Sequence, residues 1–455
     1  MSTCHSTARW ALALFCALAI GAHLQAAQAT LSASVTKTVI ESDKKQTVFL
    51  KVGLTGFAME AEHKRAGVNV ALVIDRSGSM VGEKMERAKE AAIVAVDRLN
   101  ADDIVSVIVF DHTVEVLVPS TKLTDKEAVR KAIRTITARG QTALFAGVSK
   151  GAEEVRKFKQ RDRLNRVILL TDGQANVGPS SPSDLGYLGE SLRKEGISVS
   201  TMGLGSDYNE DLLAKLAAKS EGSHSFIEKA SDIARLFNLE FDDVLSICAQ
   251  EAVIKIECSP GVRPVRVLNR DNDMDGRTVT VPLSQLFAGQ EKFMVLEVEI
   301  APGKDGESRQ IAKVTGTYAN MSTKAADQLT STVSIAFSSS KEKADKSDNR
   351  EAMIAAVEQI ALEKNKLATQ MRDEGKIVEA SKVFAENAAV LNRFGDKYSS
   401  QNLRDHAGYN SRAQLNVAPG LWEAERKNLI NNQDVYQNQA RPPEASEVPR
   451  PPRAR

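Results

Sequence analysis

Long apolar runs, histidines at zinc-ligand spacing and an excess of either charge are all missing from this chain of 455 residues. Its longest apolar stretch, "WALALFCALAI" after Arg9, falls short of the roughly 20 residues that a bilayer-spanning helix needs. Lysine and arginine number 60 against 59 acids, a formal charge of +1. That balance removes the electrostatic reason to expect nucleic acid as a partner. With 2 Trp and 6 Tyr, no aromatic platform for carbohydrate stands out. No G-x-x-x-x-G-K-[ST] loop is present, which argues against a nucleotide motor. His63, His112, His224 and His406 are isolated and lack zinc-ligand spacing, so each reads as a surface or hydrogen-bonded residue. Charge runs such as "KEKADK" read as solvated faces.

What remains is the composition of a soluble globular protein, 42% hydrophobic and 26% charged, with a length that suggests two or three domains. Residues 1–29 have the layout of a secretory signal: a weakly basic start, a short apolar stretch, then Ala27-Gln28-Ala29 as a small-x-small cleavage site. A lipid anchor on Cys16 is the alternative, and the bulky Phe15 before it argues against that. The expectation is an exported chain, periplasmic or extracellular, with no transmembrane segment after cleavage. Two cysteines then remain, Cys248 and Cys258. An oxidising compartment invites a disulfide. However, "QEAVIKIEC" alternates like a strand and would hold the sulfurs more than about 25 Å apart. A bridge needs Cα atoms within about 7 Å, so two small buried thiols are the preferred reading.

Residues 30–66 and 248–338 alternate apolar and polar like strands, broken by Gly, Asp and Asn turns. Between them, over 67–247, short apolar runs ("NVALVID", "DIVSVIVFD", "RVILLTD", "ISVSTMGLG") alternate with amphipathic helical stretches. That pattern predicts a doubly wound, mostly parallel α/β sheet covered by helices on both faces. "TVEVLVP" follows its predecessor after Asp111-His112, so it must turn back as an antiparallel edge strand. The flanking strands predict a β-sandwich into which the α/β domain is inserted. Residues 339–348 read as a polar linker and 349–398 as an α-helical hairpin like a single tetratricopeptide unit. The hairpin needs the sandwich or a second chain to pack against. Residues 399–455 read as an irregular, proline-rich tail.

"ALVIDRSGSM" brings Asp75, Ser77 and Ser79 to the carboxyl end of a buried strand, where open α/β sheets bind ligands. Asp172 ends a second such strand, and Thr142 opens a helix after "ARGQ". Two acids and three hydroxyls form a hard-oxygen set suited to Mg²⁺, with Mn²⁺ or Ca²⁺ as alternatives. Taken singly, Ser77 or Ser79 could cap the next helix, and Asp172 the turn after its strand.

"DRSGSM", Thr142 in "GQTALFAGV" and "LLTDG" resemble the metal-ion-dependent adhesion site of von Willebrand factor A domains. The resemblance covers roughly residues 67–247 and looks closest to bacterial secreted proteins likened to calcium-activated chloride channel proteins. It implies that Ser77, Ser79 and Thr142 bind the metal directly, that Asp75 and Asp172 act largely through waters, and that a partner's Asp or Glu carboxylate completes the coordination. The function it implies is an exported, non-enzymatic, metal-dependent adhesion or scaffold protein. The alternative is a structural or assembly component of the cell envelope in which the metal only stabilises. A phosphatase would want a second acid where Ser77 stands, and a serine hydrolase would want G-x-S-x-G around it.

Overall fold

The computed structural model describes residues 28–57, 67–160, 162–205 and 207–439. The signal-like residues 1–27 and the proline-rich stretch 440–455 lie outside them, as does His63.

The first strands are β1 (Thr30–Val35), β2 (Val39–Glu41) and β3 (Gln46–Thr55). An α/β unit follows: β4 (Gly67–Asp75), α1 (Glu83–Arg98), β5 (Ile104–Phe110), β6 (Val114–Lys122), α2 (Lys126–Arg134), α3 (Leu144–Arg156), β7 (Arg163–Thr171), α4 (Pro182–Lys194), β8 (Ser198–Leu204), α5 (Glu210–Ser220), β9 (His224–Ile227) and α6 (Ile233–Leu245). Strands then resume as β10 (Ile247–Cys258), β11 (Val262–Val267), β12 (Asp273–Asp275), β13 (Thr278–Phe287), β14 (Glu291–Ile300), β15 (Ser308–Asn320) and β16 (Ala326–Ser338). The chain closes with α7 (Lys341–Asp345), α8 (Arg350–Asp373), α9 (Ile377–Lys397), α10 (Gln401–Leu415) and α11 (Trp422–Asn438).

The α/β sheet has the order β6-β5-β4-β7-β8-β9. All neighbours are parallel except β5 and β6, whose tight turn through Asp111, His112 and Thr113 sends the edge strand back. Side chains of β4 alternate between two cores. Val70, Leu72 and Ile74 join Met85, Ala88, Ala92 and Ala95 of α1 on one face. Ala71 and Val73 join Val148, Ala152 and Val155 of α3 on the other. The strand is therefore apolar without interruption because both of its faces are covered. Small residues set how closely α3 approaches. A methyl group at Gly151 would stand 2.5 Å from Val73 Cγ2, and one at Gly147 would stand 2.8 Å from the Phe110 ring.

Two further sheets, β1-β3-β14-β11 and β12-β13-β10-β15-β16-β2, share one apolar cluster that includes Leu50, Val52, Ile254, Ile256, Leu296, Val314 and Ile335. The pairing of β3 with β14 runs from Gln46↔Ile300 to Thr55↔Glu291, so it joins chain from before and after the α/β unit. The chain passes from one core to the other at one peptide bond: Ile247 packs in the α/β core and Cys248 in the other. Cys248 and Cys258 are free and buried at opposite ends of β10. Burial pushes both thiols up to about 11.

The C-terminal region departs from expectation in two places. The stretch read as a linker contains the short helix α7, capped by the Ser340 hydroxyl. The stretch read as irregular from 399 onward forms α10 and α11. Their buried faces carry His406, Asn410, Glu425, Lys427, Gln433 and Asp434, and so many inward polar groups hide the apolar periodicity that announces a helix. Ala355 and Ala356 of α8 pack on Val295 of β14. From there α11 crosses to the edge strand β9, where Asn431 Oδ1 accepts from Phe226 N at 3.0 Å and Asp434 Oδ2 from His224 N at 3.3 Å. Lys427 Nζ donates to Glu210 Oε2 at 2.6 Å and to the Tyr208 carbonyl at 2.8 Å. The exposed hydrogen-bonding edge of the sheet is thereby covered. Among the described residues, no helix is long and apolar enough to cross a membrane.

Burial pushes the Asp434 carboxyl up to about 7, against the opposing bond from His224 N. A raised folded value means its stabilising contribution is present below the unfolded carboxylate value and lost as pH rises through about 7. Asp434→Asn retains an oxygen for His224 N. It is expected to match wild type in urea unfolding at about pH 4 and to exceed it at about pH 8. Parallel pH profiles for the two proteins would contradict this.

Candidate functional site

Asp75 ends β4, and the chain then turns through Arg76, Ser77 and a short 3₁₀ turn, Gly78–Met80, before α1 begins. The Asp75 carboxylate has no exposed surface. Its Oδ1 accepts from Ser77 N at 2.7 Å and its Oδ2 from Thr171 Oγ1 at 2.5 Å. Burial pushes this carboxyl up to about 6, against those bonds. Ser77 Oγ lies 3.1 Å from Ser79 Oγ, and Ser79 Oγ donates to Asp172 Oδ1 at 2.7 Å. Four of the five sequence-predicted residues thus stand in one continuous hydrogen-bonded chain. Neither serine is spent on capping: Ser77 precedes the 3₁₀ turn without a side-chain cap bond, and Gly82 occupies the N-cap of α1. Asp172 does not cap its own turn either, because Gly173 N donates to Thr171 Oγ1.

Thr142 reaches the same place from another loop. Gly78 N donates to the Gly140 carbonyl at 3.0 Å and Arg139 N to the Arg76 carbonyl at 2.5 Å, so the two loops are tied together by their backbones. Asn176 Oδ1 accepts from Thr142 N at 2.9 Å. Gly173 keeps a space open beside the Thr142 hydroxyl. A methyl group there would stand 3.0 Å from Thr142 Oγ1 and 3.5 Å from Asp75 Oδ2. Thr142 and Asp75 oxygens therefore face one small cradle, next to the serines and Asp172. Asp75, Ser77, Thr142 and Asp172 are buried, while Ser79 and Gly78 are exposed, so the cluster opens to solvent on the loop side.

The donor set passes the chemical test for a hard divalent cation. It contains two carboxylates and three hydroxyls, and among the described residues no cationic group bonds the buried Asp75 carboxylate. Among the described residues, no group of three or more His, Cys, Asp or Glu side chains could hold a metal, so any ion here depends on the hydroxyls.

Several supporting residues carried no recognisable signal in the sequence. Arg76 bonds Asp111 through Nε at 2.9 Å and Glu115 through Nη1 at 2.8 Å, and Arg139 Nε also reaches Asp111 at 3.1 Å. Burial opposes the charge on Asp111, yet bonds from Thr113, Arg139 and Arg76 hold its carboxyl well below the usual range. This network fixes the loop that carries the serines against the loop that carries Thr142. Lys84, on the first turn of α1, donates from Nζ to Asp172 Oδ2 at 2.5 Å. Of the three described histidines, His112 packs against this network and the other two lie elsewhere. His224 and His406 are buried, which pushes both down to about 4, and His112 is exposed beside Asp111.

Residues 69–239 match the family model of the von Willebrand factor type A domain. An uncharacterized protein of Synechocystis is 32% identical over 256 residues, covering 53% of this chain and 60% of that one. The uncharacterized protein YfbK of Escherichia coli is 28% identical over 283 residues, covering 59% and 47%. Inter-alpha-trypsin inhibitor heavy chain H3 of Homo sapiens is 31% identical over 173 residues, covering 36% of this chain and 19% of its own length. The chain thus spans between a fifth and three fifths of these relatives. A von Willebrand factor type A protein from Catenulispora acidiphila superposes with a TM-score of 0.65 at 16% identity, over 82% of this chain and 89% of that one. The ArnB paralog VWA2 from Sulfolobus acidocaldarius gives 0.59 at 18%, over 90% and 99%. Both likenesses concern the fold.

Proposed function

We propose, starting from the von Willebrand factor A domain that residues 69–239 form, that this chain is an exported, non-enzymatic binding protein. It captures an acidic side chain of a partner protein at a divalent cation held by Asp75, Ser77, Ser79, Thr142 and Asp172. The observation that carries the reading is the convergence of these oxygens, from three separate loops, on the cradle beside Gly173. A divalent cation held there, Mg²⁺ by the hardness of the donors, would accept an outside carboxylate as a further ligand. Mostly neutral hydroxyl donors leave positive charge on such an ion. The buried floor lowers the local dielectric, so an incoming Asp or Glu gains more there than it would in water.

Two architectural readings belong with this proposal. The pairing of β3 with β14 supports a von Willebrand factor A domain inserted into a β-sandwich, with residues 30–66 and 248–338 as its two parts. The arginine-led apolar start supports export to the periplasm or beyond.

Immobilised protein is expected to retain partners from envelope extract in Mg²⁺ and to release them on chelation, and Asp75→Ala of preserved fold should retain none. Equal retention by Asp75→Ala, with or without chelator, would favour the structural component in which the metal only stabilises.

A further inference from the structure

We propose that Lys84 is a built-in counter-cation of this site, which a divalent ion must displace from Asp172 in order to bind with full strength. The inference rests on the metal-site reading above and adds a device to it.

The carboxylate of Asp172 has no exposed surface, and both of its oxygens are engaged within the chain. Oδ1 accepts from Ser79 Oγ at 2.7 Å and Oδ2 from Lys84 Nζ at 2.5 Å. Asp75, by contrast, is held by the Thr171 hydroxyl and by the backbone N–H and hydroxyl of Ser77. The two acids of the site are therefore unequally neutralised, one by an ammonium and the other by dipoles. Lys84 itself is 31% exposed along its side chain, and its ammonium approaches within 3.8 Å of where a side chain on Gly205 would begin. It spans from α1 to the strand ends with its charge turned inward.

That placement runs against local preference. Lys84 lies in the first turn of α1, where the helix dipole favours acids, and Glu83 and Glu86 occupy the same turn. A lysine there gains nothing from its own helix, and its compensation is Asp172, 88 residues along the chain. The ammonium gives the buried carboxylate an opposite charge within the chain itself, so the cluster can hold its geometry without a metal. The same charge repels an arriving dication and occupies one of its ligands. Occupancy should then follow the surrounding divalent-ion concentration and not saturate at trace levels. The partner site would assemble only where such ions are plentiful.

Calorimetric titration of the whole chain with MgCl₂ tests this, with Lys84→Met and Lys84→Gln as neutral variants and Lys84→Arg as the charge-retaining one. The neutral variants are expected to bind on the order of tenfold more tightly, since a unit charge a few ångströms from the ion is removed. Without metal they should melt below wild type. Lys84→Arg should stay within about twofold of wild type in affinity. Equal or weaker binding by both neutral variants would overturn the proposal, because Lys84 would then be positioning Asp172 for the ion. If wild type and the neutral variants all fail to bind Mg²⁺, Mn²⁺ and Ca²⁺, the metal-site reading falls, and the proposal with it.

Discussion

In buffer containing chelator at about pH 7.5, Asp75→Asn is expected to unfold at the same or higher denaturant concentration than wild type, and added Mg²⁺ should then reverse the order. Asp75 is buried with no cationic partner among the described residues, and burial pushes its carboxyl up to about 6. For a raised carboxylate, the stabilising contribution is present below the unfolded value and lost as pH rises through the folded one. At neutral pH the empty site therefore carries an electrostatic cost, on the order of 1–3 kcal/mol. Asparagine removes that cost while keeping an oxygen for Ser77 N. A metal bound only by the folded state adds about 2.7 kcal/mol at a hundredfold excess over its dissociation constant. The variant should gain almost none of that. Urea unfolding of both proteins, with and without Mg²⁺, is the measurement. An equal gain by both would remove Asp75 from the ion-binding set.

Glu240→Ala should cost about 3–5 kcal/mol of stability, the expected penalty for leaving one member of a buried ion pair alone. Glu240 of α6 meets Arg166 of β7 at 2.5 Å, with side-chain exposures of 5% and 4%. Ser200 Oγ and Ser223 Oγ also donate to this carboxylate. Arg166 extends the network by donating to Ser198 Oγ and to Gln285 Oε1, each at 3.0 Å. Gln285 belongs to β13, so the pair fastens the last helix of the α/β unit to its sheet and to the neighbouring sheet at once. Removing the acid strands a guanidinium among strands. Replacing both members, as Arg166→Met with Glu240→Leu, should recover much of the loss, because two well-packed apolar side chains avoid the desolvation of the pair. A single variant within 1 kcal/mol of wild type, on the scale of an exposed pair, would show that water reaches this network.

The metal-site candidates were legible because the signal is local. An apolar run that ends in Asp75-Arg76-Ser77-Gly78-Ser79, and another that ends in Asp172-Gly173, place oxygens at strand ends whatever the rest of the chain does. The antiparallel return of β6 was legible for the same reason, since Asp111-His112 leaves no room for a crossover. Lys84 was not legible: in sequence it is one of several charges on an amphipathic helix, and only the distance to Asp172 distinguishes it. Asn176 was hidden in the same way, as a polar loop residue until its carbonyl meets Thr142 N. The helices α10 and α11 escaped because their inward faces are polar, with Lys427 and Asp434 buried against β9 and its neighbours.

By itself, the amino-acid sequence determined most of the elements before α10 and the chemical character of their ends. Helix and strand periodicity, turn residues and the types of oxygen donor are properties of neighbouring residues. The tertiary structure alone decided which ends meet. The pairing of β3 with β14, the covering of β9 by α11, and the choice of an ammonium as companion to one acid of the site all join residues far apart in the chain. Such contacts follow from how covered faces pack and which buried charges find partners, and no short window of residues carries that information.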